Sequence, residues 1–115
     1  MGMWTFTGYI LWKFYEFGKQ RISLNELAEF VFGYLWKNYN MVLNDSVEEL
    51  KMELEYIEKL GYIDLENGVL TLKEKLKDFY NVVGGSPLAR ESKLYREYIE
   101  RINRAVEEYT KYKVQ

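Results

Sequence analysis

The side chains able to do chemistry form a narrow set. The 115-residue chain has no cysteine and no histidine. That removes a thiol nucleophile, a disulfide, a Cys/His zinc site and a Ser-His-Asp triad. Acid–base work would fall to carboxylates, lysines and tyrosines alone. The adjacent pairs Glu48-Glu49 and Glu107-Glu108 do not converge, because neighbouring helix residues face different sides. Gly84-Gly85-Ser86-Pro87 lacks a following Gly-Lys-Ser/Thr, so it reads as a hinge and not as a phosphate loop. No enzyme and no cofactor or metal is expected. The three tryptophans and eleven tyrosines have faces on which bases stack. Without a basic groove beside them they read as core or as a seam between subunits.

What remains is binding, and charge constrains it. Sixteen Lys+Arg stand against eighteen Asp+Glu, net −2, which excludes a generally basic nucleic-acid coat but not a local patch. The sign is uneven. Residues 41–66 hold eight carboxylates against Lys51 and Lys59, net −6, while the remainder of the chain is +4. Apolar residues at 48% and charged residues at 30% describe a folded chain, not a disordered one. The apolar run at residues 3–17 is broken by Lys13 and Glu16, short of the roughly 20 residues a membrane span needs. It lacks a basic start and a small-residue cleavage site. No membrane and a cytoplasmic location are expected.

The elements that position these groups can be read from caps and periods. A helix over about 5–17 stops at Gly18. It is apolar on most sides, so it needs cover on most sides, from a second subunit or from the rest of one core. Lys19, Gln20 and Arg21 form a basic connector. Ser23 and Glu26 make a capping box, with Ile22 and Leu27 as its hydrophobic staple, and open a helix to about Trp36. Residues 37–40 read as a turn. Ser46 and Glu49 make a second box. Val47, Leu50, Leu54 and Ile57 mark the buried face of the helix it starts, and Gly61 ends that helix. Asn67-Gly68 suits a two-residue hairpin that places Ile63, Leu65, Leu70 and Leu72 on one face. Thr71 and Glu74 form a third box, opening a helix through Leu76, Phe79, Tyr80 and Val83. Ser86 and Pro87 start a last helix to about Tyr112, roughly 39 Å long. Its stripe has the spacing of a helix packing lengthwise on another, as in a coiled coil.

The fold class expected is mainly α with one β-hairpin. Helix, helix, turn, helix, hairpin, helix is the order of a winged helix-turn-helix. The stretch 49–76 resembles that superfamily's passage from recognition helix to wing, with Leu54, Ile57, Leu60, Gly61, Ile63, Leu70 and Thr71 in the matching places. The long last helix resembles PadR-type regulators and small archaeal dimeric winged-helix proteins. The resemblance implies a winged-helix domain at 1–83 and a hinge with a dimerisation helix at 84–115. It implies a dimeric regulator of transcription that binds double-stranded DNA. The groups available for DNA would be Lys19, Arg21, Lys37, Asn38, Asn40, Met52, Tyr56, Lys59, Lys73, Lys75 and Lys77. The dimer seam would take Trp4, Trp12, Leu88, Tyr95, Tyr98, Ile102, Val106 and Tyr109.

One feature of the residues departs from that family pattern. The helix that would enter the groove shows Met52, Tyr56 and Lys59 flanked by Glu48, Glu49 and Glu55, a local charge of −2. Duplex DNA carries one negative charge per roughly 1.7 Å of axis, and affinity comes largely from counterion release. The alternative is a winged helix used for protein contact, with a basic protein as partner and Met52 and Tyr56 at the centre of an acidic surface. A third disposition packs those two side chains against the first helix or against a partner subunit.

Overall fold

A computed structural model describes the chain from residue 4 to residue 114, and the side chains at 84, 88, 113 and 114 lie outside that description. Helix α1 (Trp4–Glu16) leads to β1 (Arg21–Ser23), then α2 (Leu24–Glu29), a π turn (Phe30–Tyr34) and α3 (Leu35–Tyr39). Helix α4 (Val47–Lys59) precedes β2 (Ile63–Glu66) and β3 (Val69–Leu72). A 3₁₀ turn (Glu74–Lys77) and a second π turn (Tyr80–Gly84) lead to α5 (Pro87–Glu91) and α6 (Lys93–Val114). The chain is mainly helical with a small antiparallel sheet in the order β1-β3-β2.

Local chemistry accounts for most boundaries. Gly18 at φ 95° ends α1, with Lys19 N–H bonded to Phe14 C=O at 3.0 Å and Gly18 N–H to Tyr15 C=O at 3.0 Å, the paired bonds of a Schellman motif. Ser23 Oγ accepts from Glu26 N–H at 3.0 Å and Ser46 Oγ from Glu49 N–H at 3.1 Å. Gly61 takes φ 88° and Tyr62 N–H returns to Ile57 C=O at 3.2 Å. Glu66 stands opposite Val69 and Ile63 opposite Leu72, around a turn in which Asn67 and Gly68 both have positive φ.

Four expectations need correction. Arg21–Ser23 is a strand, paired Arg21↔Thr71 and Ser23↔Val69, where a connector was expected; three residues carry no readable period. Lys37–Tyr39 continues α3, and the left-handed residue is Asn40 alone. Thr71 caps nothing: it lies in β3, and the next helical turn begins at Glu74 with no side-chain cap. Pairing to strands on both sides holds Thr71 extended. The last helix is two helices, because Ser92 Oγ accepts from Tyr95 N–H at 3.2 Å and opens α6 with a fresh cap.

The core is one connected cluster from Tyr9 to Tyr109. Helix α1 lies at its centre, with Thr7, Gly8, Tyr9, Ile10, Leu11 and Phe14 all buried. Gly8 permits the closest approach: a Cβ there would sit 2.4 Å from the Phe79 ring. Along another side of α1 runs α6, burying Ile99, Ile102, Ala105, Val106 and Tyr109. Phe14, Phe30 and Tyr109 meet edge to face at centroid distances of 5.0–6.0 Å.

Candidate functional site: the outer face of α4

Leu50, Leu54 and Ile57 are fully buried, so α4 rests on the core through one stripe. The opposite side shows Glu48, Lys51, Met52, Glu55, Tyr56 and Lys59 to solvent. Val47, expected inside, is exposed as well; at the first helical position it lies beyond the neighbours that cover Leu50. The acidity of this face is lower than the composition suggests. Glu53 turns inward and accepts from Thr7 Oγ1 at 2.6 Å and Asn44 Nδ2 at 2.8 Å. Glu58 accepts the Leu65 N–H at 2.7 Å. The outward face therefore has Glu48 and Glu55 against Lys51 and Lys59, with Glu49 half-buried at its edge. The expected local charge of −2 becomes about −1 because Lys51 joins the face.

Met52 is 68% exposed and Tyr56 47% exposed. The Tyr56 ring meets Trp4 of α1 at 5.0 Å and 84°, and Trp4 in turn rests on Phe79 at 5.7 Å. Between α1 and α4 this leaves an open groove of about 220 Å³ lined by Trp4, Met52, Tyr56, Glu49 and Glu53. Its floor is apolar and its edge carries carboxylates. Tyr56 packs on the first helix, and Met52 lines the groove beside it.

The remaining cations do not gather around α4. Lys19 pairs with Glu26 at 3.3 Å and Lys73 with Asp64 at 3.0 Å. Lys75 Nζ donates to Leu60 C=O at 2.9 Å and sits 4.7 Å from the Tyr62 ring centroid. Lys77 is exposed on the 3₁₀ turn. Arg21 stands on the outward side of the sheet beside Glu66, Asn67, Val69 and Thr71. Lys37 lines a different pocket, together with Asn38 and residues of α6. Asn38 donates to Tyr34 C=O at 3.1 Å, and Asn40 caps α3.

The residues expected at a dimer seam lie mostly inside their own chain. Ile102 and Val106 are 0% exposed and Tyr109 3%, so a partner cannot reach them without unpacking α6. Tyr95 and Tyr98 flank Phe6 at 5.4 and 6.3 Å. Trp12 stacks on Tyr15 at 6.1 Å, and Trp4 is shared between Tyr56 and Phe79. Leu88 lies outside the described side chains. A helical period reports that a stripe is covered, and it is silent on which chain covers it.

Several phenols are held protonated. Burial raises Tyr9 above its ordinary value of 10.0, and its phenol donates to Asn103 Oδ1 at 2.7 Å. Burial, then Glu108, raises Tyr39, which donates its O–H to that carboxylate. Burial pushes Tyr109 up to about 12, with Glu26 and Glu29 adding to it. Such groups stay neutral at pH 7. Among the described residues no three Asp or Glu are placed to hold a metal ion, and no helix is long and apolar enough to cross a membrane.

Comparison with protein-family models, with curated proteins and with solved structures found no match to this chain.

Proposed function

We propose that the chain is a winged helix-turn-helix domain whose α4 face docks a basic segment of a partner protein. The element order supports the fold reading: a helix–turn–helix followed by a hairpin, with β1 completing the sheet in the order β1-β3-β2. The observation that carries the function is the groove at Trp4, Met52 and Tyr56. Trp, Tyr and Met are the side chains enriched at the centres of protein interfaces, and a few such anchors supply most of the affinity. Met52 and Tyr56 sit off the buried stripe of α4: Tyr56 sets its ring against Trp4, and Met52 stays 68% exposed beside it. Glu48, Glu49 and Glu55 around them favour lysines and arginines on the partner, which gives specificity and a faster encounter. The test is a pull-down with the tagged chain. Wild type should retain a basic protein that both Glu48→Lys/Glu49→Lys and Met52→Ala release; undiminished retention by the charge-reversed variant overturns the reading.

A second reading has its own support. Lys51 and Lys59 are exposed on the same face, and Arg21 stands near the Asn67-Gly68 turn, so a dimeric DNA-binding regulator has some cations to offer. That reading requires salt-sensitive binding to mixed duplex DNA, weakened by Lys51→Glu and Lys59→Glu. Fluorescence anisotropy at low salt measures it, and a flat titration removes it.

A further inference from the structure

The groove between α1 and α4 has a shape and a charge that suit one kind of side chain. Glu49, Met52, Glu53 and Tyr56 stand at positions i, i+3, i+4 and i+7 of α4, so they line one side of that helix. Trp4 forms the opposite wall. At about 220 Å³ the groove is smaller than the roughly 300 Å³ at which sites for drug-sized molecules begin. Its size fits a single inserted side chain.

The rings make a corner. Trp4 and Tyr56 meet at 5.0 Å between centroids with their planes 84° apart, and Phe79 backs Trp4 at 5.7 Å. A cation about 4 Å from both planes stands within about 6 Å of both centroids, the reach of the attraction between a cation and a ring face. Carboxylates close the corner. Glu49 and Glu53 are both half-buried, and among the described residues neither forms an ion pair, whereas Glu16, Glu26, Asp64 and Glu107 each face a lysine. Thr7 and Asn44 both donate to Glu53 Oε1 and fix that side chain in place. Its Oε2 takes no hydrogen bond from a described residue. A half-buried carboxylate without a counter-ion has given up water and gained no charge partner, so an arriving cation is attracted without displacing another.

Shape selects among cations. An ammonium on a flexible four-carbon stem is a compact point charge that enters a corner and lays its methylenes on apolar surface. A guanidinium is flat and covers one ring face at a time. Met52, 68% exposed beside Tyr56, offers the apolar surface for the stem. We propose that the groove seats one lysine of the docked segment, with its ammonium in the Trp4–Tyr56 corner against Glu49 and Glu53 and its methylenes along Met52. This rests on the docking reading of the α4 face and adds the residue by which the partner is anchored.

The test uses the whole ¹⁵N-labelled chain at low salt and three acetylated, amidated pentapeptides, Arg-Gly-X-Gly-Arg, in which X is lysine, norleucine or arginine. Norleucine keeps the stem and drops the charge. The expected result is saturable binding of the lysine peptide, with amide shifts centred on Trp4 and residues 49–56. It should bind at least about fivefold tighter than the norleucine peptide, and tighter than the arginine peptide. Tyr56→Leu keeps apolar bulk and removes a ring face, and should cut the preference for lysine over norleucine at least about threefold. Tyr56→Phe, which returns the ring face, should restore it, and Glu49→Gln should cut it. Norleucine binding as tightly as lysine, arginine binding tighter than lysine, or an unchanged preference in folded Tyr56→Leu each overturns the lysine site. So does a lysine peptide that fails to saturate by about 10 mM. Should Tyr56→Leu fail to fold, Glu49→Gln decides the matter, because an unchanged preference there overturns the site too. The docking reading fails separately: it stands wherever the charge-reversed variant releases the retained basic protein, even if the peptides show no preference for lysine.

Discussion

Helices α4 and α6 are both amphipathic, and they treat their apolar side chains differently. In α6 the stripe Ile99, Ile102, Ala105, Val106 and Tyr109 is spent on the core of its own chain, and its exposed apolar side chains, Leu94 and Tyr112, stand far apart near its two ends. In α4 the stripe Leu50, Leu54 and Ile57 is spent in the same way. Yet α4 carries a second apolar group, Met52 and Tyr56, on the side turned away from the core. The contrast teaches that an apolar stripe at helical spacing is weak evidence of a partner, because one's own chain can cover it. Apolar side chains that lie off the stripe and stay exposed, as Met52 does, are better evidence, because the core does not cover them. Single exposed apolar residues are common; here Met52 and Tyr56 share a groove with Trp4.

The largest expected effect tests the α6 half of that contrast. Ile102→Ala should cost about 2–5 kcal/mol, the range for truncating a fully buried aliphatic side chain. Urea denaturation of the dilute protein measures it. A value near zero, with a concentration-dependent midpoint, would mean that Ile102 serves an interface between chains. Next comes Gly8→Ala, where the added Cβ meets Phe79 at 2.4 Å. Overpacking of this kind costs about 1–3 kcal/mol. Pairing it with Phe79→Leu should recover part of the loss, and a double-mutant cycle measures the coupling.

The two kinds of glutamate on α4 should separate. Glu53→Ala leaves Asn44 Nδ2 and Thr7 Oγ1 without their acceptor and should cost about 1–3 kcal/mol. Glu48→Ala, on the outward side, should stay within about 0.5 kcal/mol. Equal costs would deny that the acidic residues divide between inside and outside.

The phenols make a pH prediction for α6. Tyr109 releases its proton near 10.0 when unfolded and at about 12 when folded. Folding therefore holds the proton more tightly, so the associated stability is fully present below about pH 10 and is lost as pH rises toward 12. The slope contributed is at most about 1.4 kcal/mol per pH unit. Wild-type denaturation midpoints should fall with this slope between about pH 10 and 12, and those of Tyr109→Phe should lack it. The smallest effect belongs to Met52→Ala, expected to change stability by less than about 0.5 kcal/mol while releasing the docked partner. A clear destabilisation would place Met52 with the core and dissolve the contrast.

Some features were legible because they are settled within a few residues. Ser23 and Ser46 accept the backbone N–H of the residue three later, and Gly18 and Gly61 end helices at positive φ. The buried positions Leu50, Leu54 and Ile57 follow from spacing alone. Thr71 shows the limit: its local pattern matches a cap, yet strand partners on both sides hold it extended. The break at Ser92 was missed because Tyr95, and not a carboxylate, stands three residues on. Lys51 joins the α4 face because it flanks the buried stripe and is exposed there.

By itself the sequence determined the end of α1, the start of α2 and both ends of α4, which faces are apolar and how unevenly charge is spread, since each depends on neighbours within one or two turns. Only the tertiary structure decided that the α6 stripe is covered from within, that Glu53 and Glu58 turn inward while Lys51 turns out, and that Arg21–Ser23 is a strand. Each of these depends on which distant surface comes to lie alongside, and that is a property of the assembled core.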